Sequence, residues 1–135
     1  MKAEVGKTKD AGFQVGARRT VNAGYTDTWD FMFSKAGLEI WLEGANADSF
    51  EVGKEIALDG GRKAKITVFD PYSHIRMKLS SDSWKSHSRL QLRVMEANGK
   101  SVVAFHQELL DDADHRAEMK MHWNSVLESI FESLL

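Results

Sequence analysis

SRLQLRVMEANGKSVVAFHQEL, residues 88–109, reads as two antiparallel strands joined by a tight turn. Asn98-Gly99 supplies the two positive-φ positions that a two-residue hairpin needs. On the first strand, Leu90, Leu92 and Val94 share one face. The second, Ser101 to Leu109, is rather apolar on both faces. DDADHRAEMKMHWNSVLESIFESLL, residues 111–135, follows at once. Asp111, Asp112 and Asp114 stand where a helix N-terminus favours carboxylates. Met119, Trp123, Val126, Leu127, Ile130 and Leu134 then recur at three- and four-residue spacing, with Lys120, Asn124, Glu128 and Glu132 on the other side. A long helix with one apolar stripe, next to one-sided strands, must lay that stripe on their sheet.

Working back from residue 88, the same alternation recurs. His74 to Leu79 sets Ile75, Met77 and Leu79 against His74, Arg76 and Lys78. Arg62 to Phe69 puts Ala64, Ile66 and Val68 on one face, and Asp59-Gly60-Gly61 turns it back to a short strand over Lys54 to Leu58. Before these come two short helices. Thr26-Asp27 offers a start to the first, with Tyr25, Trp29, Met32 and Phe33 at helical spacing. Ser34 can cap the second, which carries Leu38, Trp41 and Leu42 and ends by Gly44. Phe13 to Val21 is the opening strand. Residues 1–10 have no periodicity and are expected to be flexible.

The fold class expected is therefore α+β. A curved antiparallel sheet of about six strands wraps on a long C-terminal helix, and two short helices follow the first strand. A single helical stripe does not fill the whole concavity of such a sheet. A pocket between sheet and helix is the natural result.

Composition narrows the function. The 135 residues are 42% hydrophobic and 28% charged, a globular balance. There is no cysteine, so disulfides, thiolate metal sites and cysteine nucleophiles are excluded. Basic and acidic residues number 18 and 20 and are interspersed. The clusters Arg18-Arg19 and Arg62-Lys63-Ala64-Lys65 read as solvated strand faces, so neither nucleic acid nor a membrane surface is expected as a partner. No apolar leader or spanning stretch is present, and the cytoplasm is the simplest compartment. No Gly-rich phosphate loop opens a helix and no Gly-x-Ser-x-Gly elbow occurs, so no cofactor is expected.

Three stretches carry a family resemblance. Arg19-Thr20-Val21-Asn22-Ala23 leads into Thr28-Trp29-Asp30-Phe31-Met32. Val102 to Leu109 holds a histidine at 106. His122-Trp123 lies within the closing helix. Taken in this order, the chain resembles the START-like (SRPBCC) superfamily. Within it, the chain is similar to proteins related to the C-terminal domain of the heat-shock-protein-90 ATPase activator. The resemblance implies a helix-grip fold, one START-like domain over 1–135, and a deep apolar cavity. The chain departs from the pattern in having Gly99-Lys100 at the start of the last strand, and Gln107-Glu108 where the family has a glycine.

The expected ligand pocket comprises Phe33, Leu38, Trp41, Met77, Leu92, His106, Met119 and Trp123. Trp123 offers a wide wall with one N–H donor, and Met119 adapts to irregular ligands; both also suit plain helix-to-sheet packing. In the family register His106 points inward with Val102 and Ala104, where it can orient a hydroxyl or move a proton. A backbone-bonded core histidine is the competing account, and a one-residue slip turns it outward. His115, Glu118 and His122 share one side of the helix, as metal ligands would. A polar border of the apolar stripe explains them better, so no metal is expected.

Binding of an apolar or aromatic small molecule is the first functional reading. A cyclase- or hydrolase-like enzyme using His106 is the second, with Arg19, Arg76 or Arg93 as polar partner if their strand phase points inward. A chaperone-linked interaction module is the third. A homodimer through Val103 and Phe105 is a weaker variant.

Overall fold

The computed structural model describes residues 7–8 and 11–135. The strands are β1 (Lys7–Thr8), β2 (Gly12–Val21), β3 (Glu55–Ala57), β4 (Arg62–Asp70), β5 (His74–Ser81), β6 (Ser88–Ala97) and β7 (Lys100–Leu110). The helices are α1 (Tyr25–Met32), α2 (Lys35–Trp41) and α3 (Ala113–Ser133). Every pairing is antiparallel, in the order β1-β2-β7-β6-β5-β4-β3. This is the expected α+β helix-grip architecture: six strands of three or more residues, with the two-residue β1 added at the β2 edge. Of residues 1–10, expected to be flexible, Lys7 and Thr8 pair with Phe13 and Gly12, and the others lie outside the described residues.

The period-two alternation sets the burial. Ile75, Met77, Leu79, Leu90, Leu92, Val94, Val103 and Phe105 are all buried, while their outward neighbours are exposed or half-buried. Asn98 and Gly99 both take positive φ, as the hairpin reading requires. Two irregularities bend the sheet. One is a bulge in β4 between Ile66 and Val68; the other lies where β2 meets the end of β7, with Leu109 at φ 62°.

Helix ends follow local chemistry. Ser34 Oγ accepts from Gly37 N–H, and Asp112 Oδ1 accepts from His115 N–H. Gly37 is obligatory for a further reason: a Cβ there would sit 1.9 Å from the Phe31 carbonyl oxygen at the α1–α2 corner. α1 differs from expectation. It starts at Tyr25 after Gly24, with no side-chain cap, and Thr28 Oγ1 instead donates to Ala23 O.

α3 buries Met119, Trp123, Val126, Leu127 and Ile130 against the sheet. Its flank closes over β2. Arg116 Nε donates to Gln14 O (2.7 Å) and Lys120 Nζ to Gly16 O (2.7 Å). Arg19 pairs with Glu128 and lies over the Phe131 ring at 4.0 Å. Among the described residues β2 has the short β1 beyond it, so Arg116 and Lys120 occupy carbonyls that a near-edge strand leaves open.

Candidate functional site

The centre of the grip is filled. Trp123 stacks on Phe105 with ring centroids 4.4 Å apart, and Trp41 reaches the same ring at 5.9 Å. Gln107, fully buried on the inner face of β7, closes the rest with a polar chain. Trp123 Nε1 donates to Gln107 Oε1 (2.8 Å), Gln107 Nε2 donates to Ser88 Oγ (2.8 Å), and Ser88 Oγ donates to Leu79 O (3.0 Å). Each buried polar atom in this chain has a partner, so the chain is stable in the dry interior. The deep cavity implied by the family resemblance is thus taken up here by side chains.

Open volume lies instead at the mouth. A cleft of about 320 Å³ runs between α3 and the turn before β4. Met119, Trp123, Leu79 and Trp84 form its apolar wall, and Glu43, Asp59, Arg62, Glu118 and His122 its polar rim. A second hollow of about 640 Å³, lined by Leu38, Lys35 and Glu39 among others, shares Glu43 and Asp59 with it. The rim is braced from the backbone. Arg62 Nε donates to Asp59 O (3.1 Å), and Asp59 N–H donates to Glu43 O (3.0 Å). Gly44 is required there: its φ is +94°, and a Cβ would meet Asp59 N at 2.6 Å.

His122 is half-buried at the rim, edge-on to Trp123 with centroids 4.6 Å apart. Burial, then the Arg62 guanidinium, pushes its imidazole below the ordinary histidine range, against an opposing pull from Glu43 and Glu118. It is therefore a neutral donor-acceptor near pH 7. His115 is buried behind the wall. Its Nδ1 accepts from Asp111 N–H (3.0 Å) and its ring packs on Trp84 at 4.9 Å, while Nε2 has no hydrogen-bond partner. Among the described residues no three His, Cys, Asp or Glu side chains cluster as a metal site.

The expected pocket residues do not form one site. Met119 and Trp123 line the cleft, and Leu38 lines the adjoining hollow. Trp41, Met77 and Leu92 are buried core residues, and Trp41 Nε1 is spent on Met32 O (2.7 Å). Phe33 packs among Trp29, Trp41, Phe50 and Phe69. His106 lies on the opposite face of the sheet. Its Nε2 meets Gln14 Oε1 at 2.9 Å and its Nδ1 lies 3.5 Å from Glu108. The inward residues of β7 are Ser101, Val103, Phe105 and Gln107, one position out of the family register. A proton shuttle at His106 inside the grip is thereby overturned. Arg76 and Arg93 also face outward, and Arg19 is engaged by α3. Val103 and Phe105 are core, so they offer no dimer face.

Glu43, Asp59, Arg62, Trp84, Ser88 and Gln107 were not singled out for the site from sequence. Gln107 alone had a signal, its replacement of the family glycine. His122 was read as the border of the stripe, which is where it sits.

No family model matches the chain, and no curated protein matches it in sequence. Solved structures do match in fold. CalU16 from Micromonospora echinospora superposes with a TM-score of 0.77 at 14% identity, over 90% of this chain and 65% of that one. The Aha1 dimer from Colwellia psychrerythraea gives 0.73 at 17% identity, over 90% and 95%. DynU16, from the dynemicin biosynthetic locus, gives 0.74 at 11% identity; the match covers 90% of this chain but 46% of DynU16. At these identities the likeness establishes the helix-grip fold.

Proposed function

We propose that the chain is a START-like binding module for a small, mainly apolar molecule with one polar end, held in the mouth cleft. The observation that carries this is the cleft itself. Its volume of about 320 Å³ lies at the lower end of the range of ligand sites, and it pairs an apolar wall with a few convergent polar groups. Met119, Trp123, Leu79 and Trp84 take the apolar body. Arg62 and His122 meet the polar end. The structural neighbour from a biosynthetic locus fits handling of a small molecule. A chaperone-linked or dimeric role has only the fold likeness to the Aha1 dimer behind it. The large exposed apolar residues among those described, Val52, Tyr72, Met121 and Leu135, lie in four different segments.

The test is a fluorescence titration with the neutral probe N-phenyl-1-naphthylamine. Saturable binding is expected, and Met119→Trp, which fills the cleft, weakens it at least about tenfold, equivalent to about 1.4 kcal/mol. Equal affinity in the variant would remove the cleft as the site.

A further inference from the structure

The outer face of the sheet carries a charged trough that shares no lining residue with the cleft. The register sets Lys65, Lys78, Arg89 and Glu108 side by side on one rung across β4, β5, β6 and β7. The adjoining rung holds Arg76, Gln91 and His106. Neighbouring strands stand about 4.8 Å apart, so the Cα atoms of Lys65, Lys78 and Arg89 span about 10 Å. Like charges directly opposite one another destabilise a sheet. An acid stands at each end of this rung, and among the described residues only Glu108 closes an ion pair, accepting from Arg89 at 3.1 Å. Glu55 stands opposite Lys65 on β3, and forms no ion pair within 4.0 Å among the described residues. Arg76, Lys65 and Lys78 likewise form none with a described residue.

Arg76, Lys78 and Arg89 line a trough of about 420 Å³ with Thr67, Gln91 and His106, Met77 and Leu90 at its floor and Glu108 at one side; Lys65 lies outside it. The β4 bulge falls at Thr67 and shapes this part of the sheet. Two guanidiniums are already oriented. Arg76 Nε is fixed to Gln91 Oε1 at 2.7 Å, and Arg89 is held by Glu108, so donors on each remain for a ligand. The chain as a whole is net negative, at -2, and the cleft mouth on the other side bears Glu43, Asp59 and Glu118. Three cations, Arg76, Lys78 and Arg89, line the trough against one carboxylate, Glu108.

We propose that this trough binds a small phosphate-bearing anion. Guanidinium forks match phosphate oxygens, and the Thr67 hydroxyl and Gln91 amide add neutral hydrogen bonds. A multivalent anion also removes the like-charge repulsion of the rung, so binding stabilises the sheet. The bounded size favours a compact ligand such as a phosphomonoester or diphosphate over a long polyanion.

The test is an NMR titration of the full chain with pyrophosphate, with sodium chloride at matched ionic strength as reference. Saturable shifts are expected at amides of residues 65–67, 76–78, 89–91 and 106–108, together with a raised melting temperature. The double variant Arg76→Gln with Lys78→Gln is expected to bind pyrophosphate at least about tenfold more weakly, while the neutral naphthylamine still binds as in the unaltered chain. Equal effects from chloride and pyrophosphate, or an unchanged affinity in the variant, would overturn the proposal. So would saturable binding of a single-stranded oligonucleotide through these residues with none of pyrophosphate, which would make the face a polyanion surface instead.

Discussion

The two faces of β7 differ by one residue in phase and by everything in chemistry. Inward, Val103, Phe105 and Gln107 are buried, and Gln107 is tied to Trp123 and Ser88. Outward, His106 and Glu108 stand half-buried beside Arg89 and Gln14. The inner face spends its polar groups on one another and closes the grip. On the outer face Lys65, Lys78 and Arg76 form no ion pair among the described residues. In this helix-grip fold Trp41, Phe105, Gln107 and Trp123 pack together in the middle of the grip, and the cleft that Trp123 also lines opens at the rim.

The largest expected effect is on the inner face. Trp123→Ala removes the stack on Phe105 and leaves Gln107 Oε1 without its donor. It should cost about 3–5 kcal/mol in urea unfolding. A loss under about 1 kcal/mol would mean that the centre is loosely packed after all. Gln107→Leu comes next. It strands the Trp123 indole N–H, and it should cost about 1–3 kcal/mol despite adding apolar surface. A gain in stability would contradict the polar chain as described.

His122 gives a smaller effect that depends on pH. Its folded pKa lies below the unfolded value, so the unfolded chain binds more protons between the two. Its contribution to stability is full above the unfolded value of about 6.5 and is lost as pH falls through the lower folded value. His74 is shifted the same way, chiefly by burial and then by Arg93 and Arg76, and adds to that slope. His122→Gln should therefore flatten, without abolishing, the fall in stability as pH drops below the ordinary histidine value of about 6.5. An unchanged slope would remove His122 from the account. The smallest effect belongs to the outer face: His106→Ala should shift stability by no more than about 0.5 kcal/mol. A core-sized loss there would reverse the assigned phase of β7.

Much of the fold was readable because its signals are local. Leu90, Leu92 and Val94 alternate cleanly, Asn98-Gly99 demands a hairpin, and the α3 stripe recurs without a break. β7 was harder. Val102, Val103, Ala104 and Phe105 are apolar on both faces, so periodicity alone left its phase open. What decides it is a contact between residues 107 and 123, which no local pattern encodes. The cleft rim was hidden for the same reason. Asp59 and Gly60 read as a turn, and Arg62 as the start of a strand. Their place beside Glu118 and His122 exists only once the sheet has curved around α3. Met119 and Trp123 were legible because the stripe that packs them also brings them to the cleft. His106 was misplaced because a family register was carried onto a strand whose own inward residue is Gln107.

The most direct test of a filled centre with an open mouth is to map a neutral apolar probe by NMR on the isotopically labelled chain. Naphthylamine-induced shifts should centre on Leu79, Trp84, Met119 and His122. Shifts centred on Leu92, Val103 and Phe105 would show that the middle of the grip opens to ligand, and would contradict the account.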